Sequence, residues 1–360
     1  MGNFMDVFAD VTKQARKVPA SEYMPSGKYP IYDQGQSQIA GYTDEEDGLF
    51  TDIPAIIFGD HTRIVKYVDE PCFIGADGVK LLKPLPSDVD VKYLFYATSA
   101  IRIPNTGYNR HFKWLKEANI VLPDRMTQSR IAAMFAKLEE LMKLQKQQLA
   151  KLDELVKARF VEMFERHSWE TVLAGSIMHE MRNGVSPTNS GRYHAKVLTL
   201  SAITQGVFNA DAWKDGVFYY SPSEDKRVSS SDFYICRGNG NKRLVGVGAY
   251  SIMNRPDLVF PDTIIAARID ERQVSLPYLC NAWKSPSVRS QIESAAQTTN
   301  GTYKINQKTI SNVKLVLPPL SLQHEFAAYV AQADKSKLTT HQRLDKLAVL
   351  KKALMQKYFG

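Results

Sequence analysis

Between residues 125 and 164 apolar side chains return in alternating steps of four and three: Ile131, Phe135, Leu138, Met142, then Leu149, Leu152, Val156 and Met163. This is the spacing of a coiled-coil seam. No Gly or Pro interrupts it as far as Phe164, which predicts one long helix over 125–164. Gln145 breaks the seam, and a lone polar residue there can set the register of two paired helices. A second helix is predicted over 320–360, with seam positions at Leu344, Leu347 and Leu354. Its pattern is poorer, because Lys337 and Lys351 stand where the first helix has Met142 and Val156; Leu338 and Leu350 are expected to take over the packing.

The two helices belong to an internal repeat. Residues 120–164 and 315–359 align without a gap at a constant offset of 195. Pro123 meets Pro318, Gln128 meets Gln323, Ala132-Ala133 meets Ala327-Ala328, Gln145 meets Thr340 and Phe164 meets Phe359. Repetition of this kind outranks local propensity as a guide to architecture. It predicts two α+β units, 1–124 and 165–319, each followed by a helix. Paired helices leaving successive units must run antiparallel. A helix of ~38 residues spans about 57 Å. The expected molecule is pseudo-two-fold, with a unit at each end of a coiled-coil spacer.

Within the units, Pro54–Phe58, Lys80–Leu82, Asp232–Cys236 and Thr263–Arg268 read as strands, and Tyr93–Ile101 and Pro277–Lys284 as helices. Two polar loops recur in equivalent places. One follows the first strong strand: Gly59–Arg63 with Lys66 in the first unit, Arg237–Arg243 in the second. The other comes before the long helix: Gly107–His111 with Lys113, and Gly301–Lys304 with Lys308. Arg and Asn side chains pair bidentately with purine edges, while Lys and backbone amides hold phosphates. The candidate DNA contacts are therefore Arg63, Lys66, Asn109, Arg110 and Lys113, with Arg237, Asn239, Asn241, Lys242, Arg243, Tyr303 and Lys304. Read singly, each could equally be a solvated turn residue; what raises the set is that the repeat presents it twice.

Composition sharpens the picture only in part. A chain of 360 residues predicts two domains or more. No apolar run approaches the ~20 residues of a membrane span and no signal peptide opens the chain. The widely spaced Cys72, Cys236 and Cys280 predict neither disulfides nor a zinc site, as expected of a cytoplasmic protein. The net charge of +8 is uneven: −3 over residues 1–118, against +4 over 165–313 and +5 over 314–360. The acidic first unit, with its Asp44–Asp47 run, argues mildly against nucleic-acid binding there.

Catalytic patterns are missing. There is no phosphate-binding G-x-x-x-x-G-K-[ST] loop, Gly238-Asn-Gly240 and Gly246-Val-Gly248 read as turns, and Asn254-Arg-Pro-Asp257 lacks the aromatic end of an amino-methyltransferase box. The seven histidines show no metal-ligand spacing, and no Ser, His and Asp set stands out.

The helix entries, Val121-Leu-Pro123, Gln128, Ala132-Ala133 and Phe164, repeated as Val316-Leu-Pro318, Gln323, Ala327-Ala328 and Phe359, resemble those of the specificity subunit of type I restriction–modification systems. Tyr29–Tyr32, Gly41-Tyr42 and Trp169 are similar to the openings of its target-recognition domains, with Phe4 expected to stand in for Trp169 in the first unit. The resemblance implies two target-recognition domains, each reading half of a split duplex DNA site, separated by helices that act as a ruler. It implies a chain without cofactor or catalysis of its own, docking two S-adenosylmethionine-dependent adenine methyltransferase subunits, with restriction subunits as further partners. The alternative is a non-catalytic coiled-coil scaffold whose globular ends bind protein.

Overall fold

In the computed structural model all residues are described except Met1, Ala76, Tyr108 and Asn300. The chain divides into two units, Met1–Gln148 with Thr340–Gly360, and Leu149–Thr339. Each unit thus takes a share of both long helices, Arg125–Phe160 and Leu320–Phe359. The first α-helix stops four residues short of the expected Phe164, and Val161–Glu165 continues as a π turn.

In the first unit, Phe8–Asp10, Val79–Pro84, Ala55–Gly59 and Val65–Val68 form an antiparallel sheet in that order. A second sheet runs Lys17–Val18, Phe73–Gly75, Tyr29–Tyr32, Gly41–Thr43. The second unit repeats the first plan with Met178–Asn183, Ile264–Ile269, Asp232–Cys236 and Gly248–Tyr250. Its other sheet pairs Tyr193–Leu198 antiparallel to Trp213–Phe218 and parallel to Arg255–Val259, as Tyr29–Tyr32 pairs with Gly41–Thr43 and Phe73–Gly75. The fourth strand differs. Lys17–Val18 joins in parallel from upstream, whereas Arg227–Val228 joins antiparallel from within the loop. Strands buried on both faces read as continuous apolar runs, which is why Ala55–Gly59 and Asp232–Cys236 were legible.

A short antiparallel pair closes each unit: Gly2–Asn3 on Asn119–Ile120, and Thr171–Leu173 on Lys314–Val316. Its register corrects one expectation. The Phe4 amide donates to Ala118 O, as the Ala174 amide donates to Val313 O. Phe4 is therefore the counterpart of Ala174, not of Trp169.

The helices run antiparallel within each unit. In the first, Phe135 meets the Phe359 ring at 5.8 Å and Glu139 pairs with Lys351 at 2.7 Å. In the second, Phe160 meets Phe326 at 5.5 Å, Arg159 pairs with Glu325 at 2.8 Å and Asp153 with Lys337 at 2.7 Å. Of the expected seam, Phe135, Leu138 and Val156 are buried, and Met142, Leu149, Leu152, Leu344, Leu347 and Leu354 are half-buried. Leu338 and Leu350 do not replace the seam lysines: they are 60% and 45% exposed. Lys337 and Lys351 stay in the seam, their side chains only 20% and 33% exposed, and each pairs with a carboxylate of the facing helix. Burial works against the charged Lys337, but Asp153 and Asp334 outweigh it and hold its pKa above the ordinary lysine value. Gln145 Oε1 is buried without a partner.

All three cysteines are buried, and burial raises their thiol pKa, to about 12 at Cys72 and about 11 at Cys236. No helix among the described residues is long and apolar enough to cross a membrane.

Candidate nucleic-acid interface

Each unit brings its two predicted loops together, by different means. In the first unit, the strands Ala55–Gly59 and Val65–Val68 are joined by a tight turn. Arg63 closes it in the left-handed region at φ 64°, its amide donating to Gly59 O. The second loop, 101–111, leaves the C-terminal end of the helix Val91–Ala100 and turns at Gly107, φ 77°. Two buried polar residues join the loops. Asp60 Oδ1 accepts the Phe112 amide at 2.7 Å, and Asp60 O lies 2.8 Å from the His111 amide and 2.9 Å from His111 Nδ1. His111 Nε2 lies 3.4 Å from Thr106 Oγ1, and Arg63 donates to Ile103 O. A buried carboxylate is tolerated only when hydrogen-bonded. Both residues stood in the loops singled out by sequence, but neither was among the candidate contacts. Their role as the fastening between loops was missed, because nothing local says that residue 60 meets residue 111.

Of the five candidates here, Asn109, Arg110 and Lys113 are exposed and Arg63 is half-buried. Lys66 is a correction. It is 2% exposed, and its ammonium donates to Ser37 O at 2.6 Å and to Asp33 at 3.3 Å. Burial lowers its pKa, against the pull of Asp33. Alternation along the strand turns it inward, so it is not a phosphate contact in this conformation. Tyr108, in the middle of the second loop, lies outside the described residues.

The second unit fastens its loops through backbone. Gly238–Asn239 pairs with Thr302–Lys304, which pairs with Gln297–Thr299, giving a small three-stranded sheet. Gly238 faces Lys304 and Asn239 faces Tyr303, and the Ile305 amide donates to Arg237 O at 2.9 Å. Lys242 lies over the Tyr303 ring at 5.9 Å. Arg289, from the helix Pro286–Ala295, donates to Arg243 O and Val245 O and braces the turn from behind. Asn241, Lys242, Arg243 and Lys304 are exposed; Arg237, Asn239 and Tyr303 are half-buried. The carboxamide oxygens of Asn239 and Asn241 accept the amides two residues on, leaving the exposed cations to face outward. Gly301 adopts φ 74° and a Cβ there would meet nothing within 4 Å, as at Gly107. At both positions the backbone conformation alone calls for glycine.

Charge on these loops departs from charge on the units. Residues 101–116, 237–247 and 297–312 contain no Asp or Glu. Asp60, in the remaining loop, is buried and bonded. The Asp44–Asp47 run is partly engaged elsewhere: Asp44 accepts the Lys28 amide, Glu45 pairs with Arg16 and Glu46 with Lys28. Net charge of the first unit is therefore no argument against an anionic partner at its loops.

Residues 5–154 match the family model described as the type I restriction modification DNA specificity domain. A comparison with curated protein sequences finds no significant match. Among solved structures, the chain is similar to the type I restriction-modification system S subunit from M. genitalium, with 16% identity, 98% of this chain and 96% of that chain covered, and a TM-score of 0.61. A structure from work on complex assembly and conformational transition of the type I R-M system is 14% identical, with 98% and 97% covered and a TM-score of 0.55.

Proposed function

We propose that this chain, which resembles the specificity subunits of type I restriction–modification systems in sequence over residues 5–154 and in fold over nearly its whole length, reads a split site in duplex DNA. The observation that carries the reading is the duplicated scaffold, which twice presents a fastened pair of loops rich in Arg, Lys and Asn with no exposed carboxylate. Each unit reads one half-site, and the antiparallel helices hold the unread spacing between them. Arg110, Lys113, Lys242 and Lys304 contact phosphates, while Arg63, Asn109, Arg237, Arg243 and Tyr303, with the carboxamide nitrogens of Asn239 and Asn241 whose oxygens are held by the loop backbone, read or stack on bases. Such contacts make binding steeply salt-dependent.

The chain directs chemistry and performs none itself. Two adenine methyltransferase subunits carrying S-adenosylmethionine dock on the exposed faces of the long helices, beside the seam that the helices bury against each other, and restriction subunits complete the system. The test is to express the chain with its methyltransferase partner and map methylated adenines across a genome by single-molecule sequencing. A split motif present only with this chain supports the reading. A stable complex whose methylation is unchanged by the chain overturns it in favour of a protein-binding scaffold.

A further inference from the structure

The repeat aligns Gln128 with Gln323, and both side chains make the same kind of joint inside their own unit. Gln128 Oε1 accepts the Asp90 amide at 2.9 Å and its Nε2 donates to Pro123 O at 2.8 Å. Gln323 Oε1 accepts the Ser275 amide at 2.9 Å, and its Nε2 donates to Pro318 O at 2.9 Å and Gln273 O at 3.0 Å. Both glutamines are buried, at 3% and 0% exposure. A tyrosine hydroxyl completes each joint: Tyr93 donates to Val121 O at 2.8 Å, and Tyr278 to Val316 O at 2.6 Å.

The atoms held are informative. Asp90 and Ser275 are the N-caps of the helices Val91–Ala100 and Leu276–Ala282. The first of these helices runs directly into loop 101–111. The second leads through Pro286–Ala295 into the strand Gln297–Thr299 of the loop sheet. The proline and valine carbonyls lie just before each long helix. One carboxamide therefore ties the root of the long helix to the root of the element that carries the candidate DNA-reading loop. A carboxamide offers donor and acceptor in a fixed plane, so it fixes direction as well as distance.

We propose that Gln128 and Gln323 are positioning residues for recognition: they set the angle between each long helix and its unit's reading loops, and so the spacing the protein accepts between half-sites. This rests on the split-site reading above. The local stability of the joint is not its only consequence, since free rotation there would leave each loop set intact but aim it differently.

The experiment compares methylation by the assembled complex at sites whose spacer is native, one base pair longer or one shorter. Gln128→Met and Gln323→Met, singly and together, keep side-chain length and remove the carboxamide hydrogen bonds. Tyr93→Phe with Tyr278→Phe removes the hydroxyl bond and keeps the ring, and decides the question should the methionine variants fail to assemble. Ile203→Val, at a buried residue of a separate core cluster that contains none of the joint residues, controls for lost stability. The expected result is a fall of about ten-fold in the preference for the native spacer in the joint variants, within the up to ~100-fold that a misplacement of about 1 Å can cost. The bases of each half-site stay unchanged, and the control keeps the native preference at a matched loss of melting temperature. Retention of the native preference in folded joint variants overturns the proposal. Absence of any split-site preference in the unaltered complex removes the functional reading itself, and is thereby distinguished from failure of the joint.

Discussion

The first unit fastens its two loops with the side chains of Asp60 and His111, and the second with a three-stranded backbone sheet. Around this difference the scaffold hardly changes: the same four-stranded sheet order, the same left-handed glycine, the same glutamine and tyrosine at the root of the long helix. What is kept lies in the scaffold, and what varies lies at the candidate loops. Under the proposed split-site reading, loops can vary freely only if the elements beneath them do not depend on the loops for their own packing.

The largest expected effect comes from removing what the units share. Reversing charge at Arg63, Arg110, Arg237 and Lys304 together should abolish specific retention of duplex DNA by the assembled complex, and the slope of log affinity against log salt should fall by about one for each phosphate no longer neutralised. An unchanged slope would show that the loops do not face the duplex. Next comes the difference. Asp60→Ala leaves the buried amide of Phe112 without its acceptor, at a cost of about 1–3 kcal/mol. Denaturation should report that loss, while methylome mapping should show selectivity relaxed at one half-site and intact at the other. Loss at both half-sites would mean that the loops are not read separately.

A smaller effect tests the equivalence of the units. Gly107→Ala and Gly301→Ala each force a Cβ into a left-handed backbone, at about 1 kcal/mol. Similar falls in melting temperature are expected, each confined to selectivity at its own half-site. Smallest is the seam. Lys337→Met and Lys351→Met exchange partly exposed ion pairs, worth about 0.2–1 kcal/mol, for apolar contact. The expected change in stability lies within about 1 kcal/mol of zero, by chemical denaturation of the full chain. A large loss at either site would assign the pair a structural weight that its exposure does not suggest.

The legible parts of this chain share a physical character. Strands buried on both faces, such as Asp232–Cys236, appear as apolar runs, and helix entries appear as a proline followed by uninterrupted periodicity. The repeat made Gln128 and Gln323 visible as a pair but said nothing of what they hold. Lys66 was misread because a basic residue close to a loop looks exposed until the strand's alternation and its inward partner Asp33 are known. Leu338 and Leu350 were misread because apolarity was ranked above position: their places on the helix face outward, and the neighbouring lysines stay at the seam with carboxylates across from them.

The amino-acid sequence by itself determined that the chain is built twice on one plan, where its long helices begin, which loops are basic, and that these recur in equivalent places. These are properties of short-range pattern and of self-similarity. Only the tertiary structure decided that residue 60 fastens to residue 111, that residues 238–239 become a strand beside 302–304, and that residue 128 grips the helix starting near residue 91. Hydrogen bonds between residues tens of positions apart depend on how the intervening chain packs, and no local pattern encodes their partners.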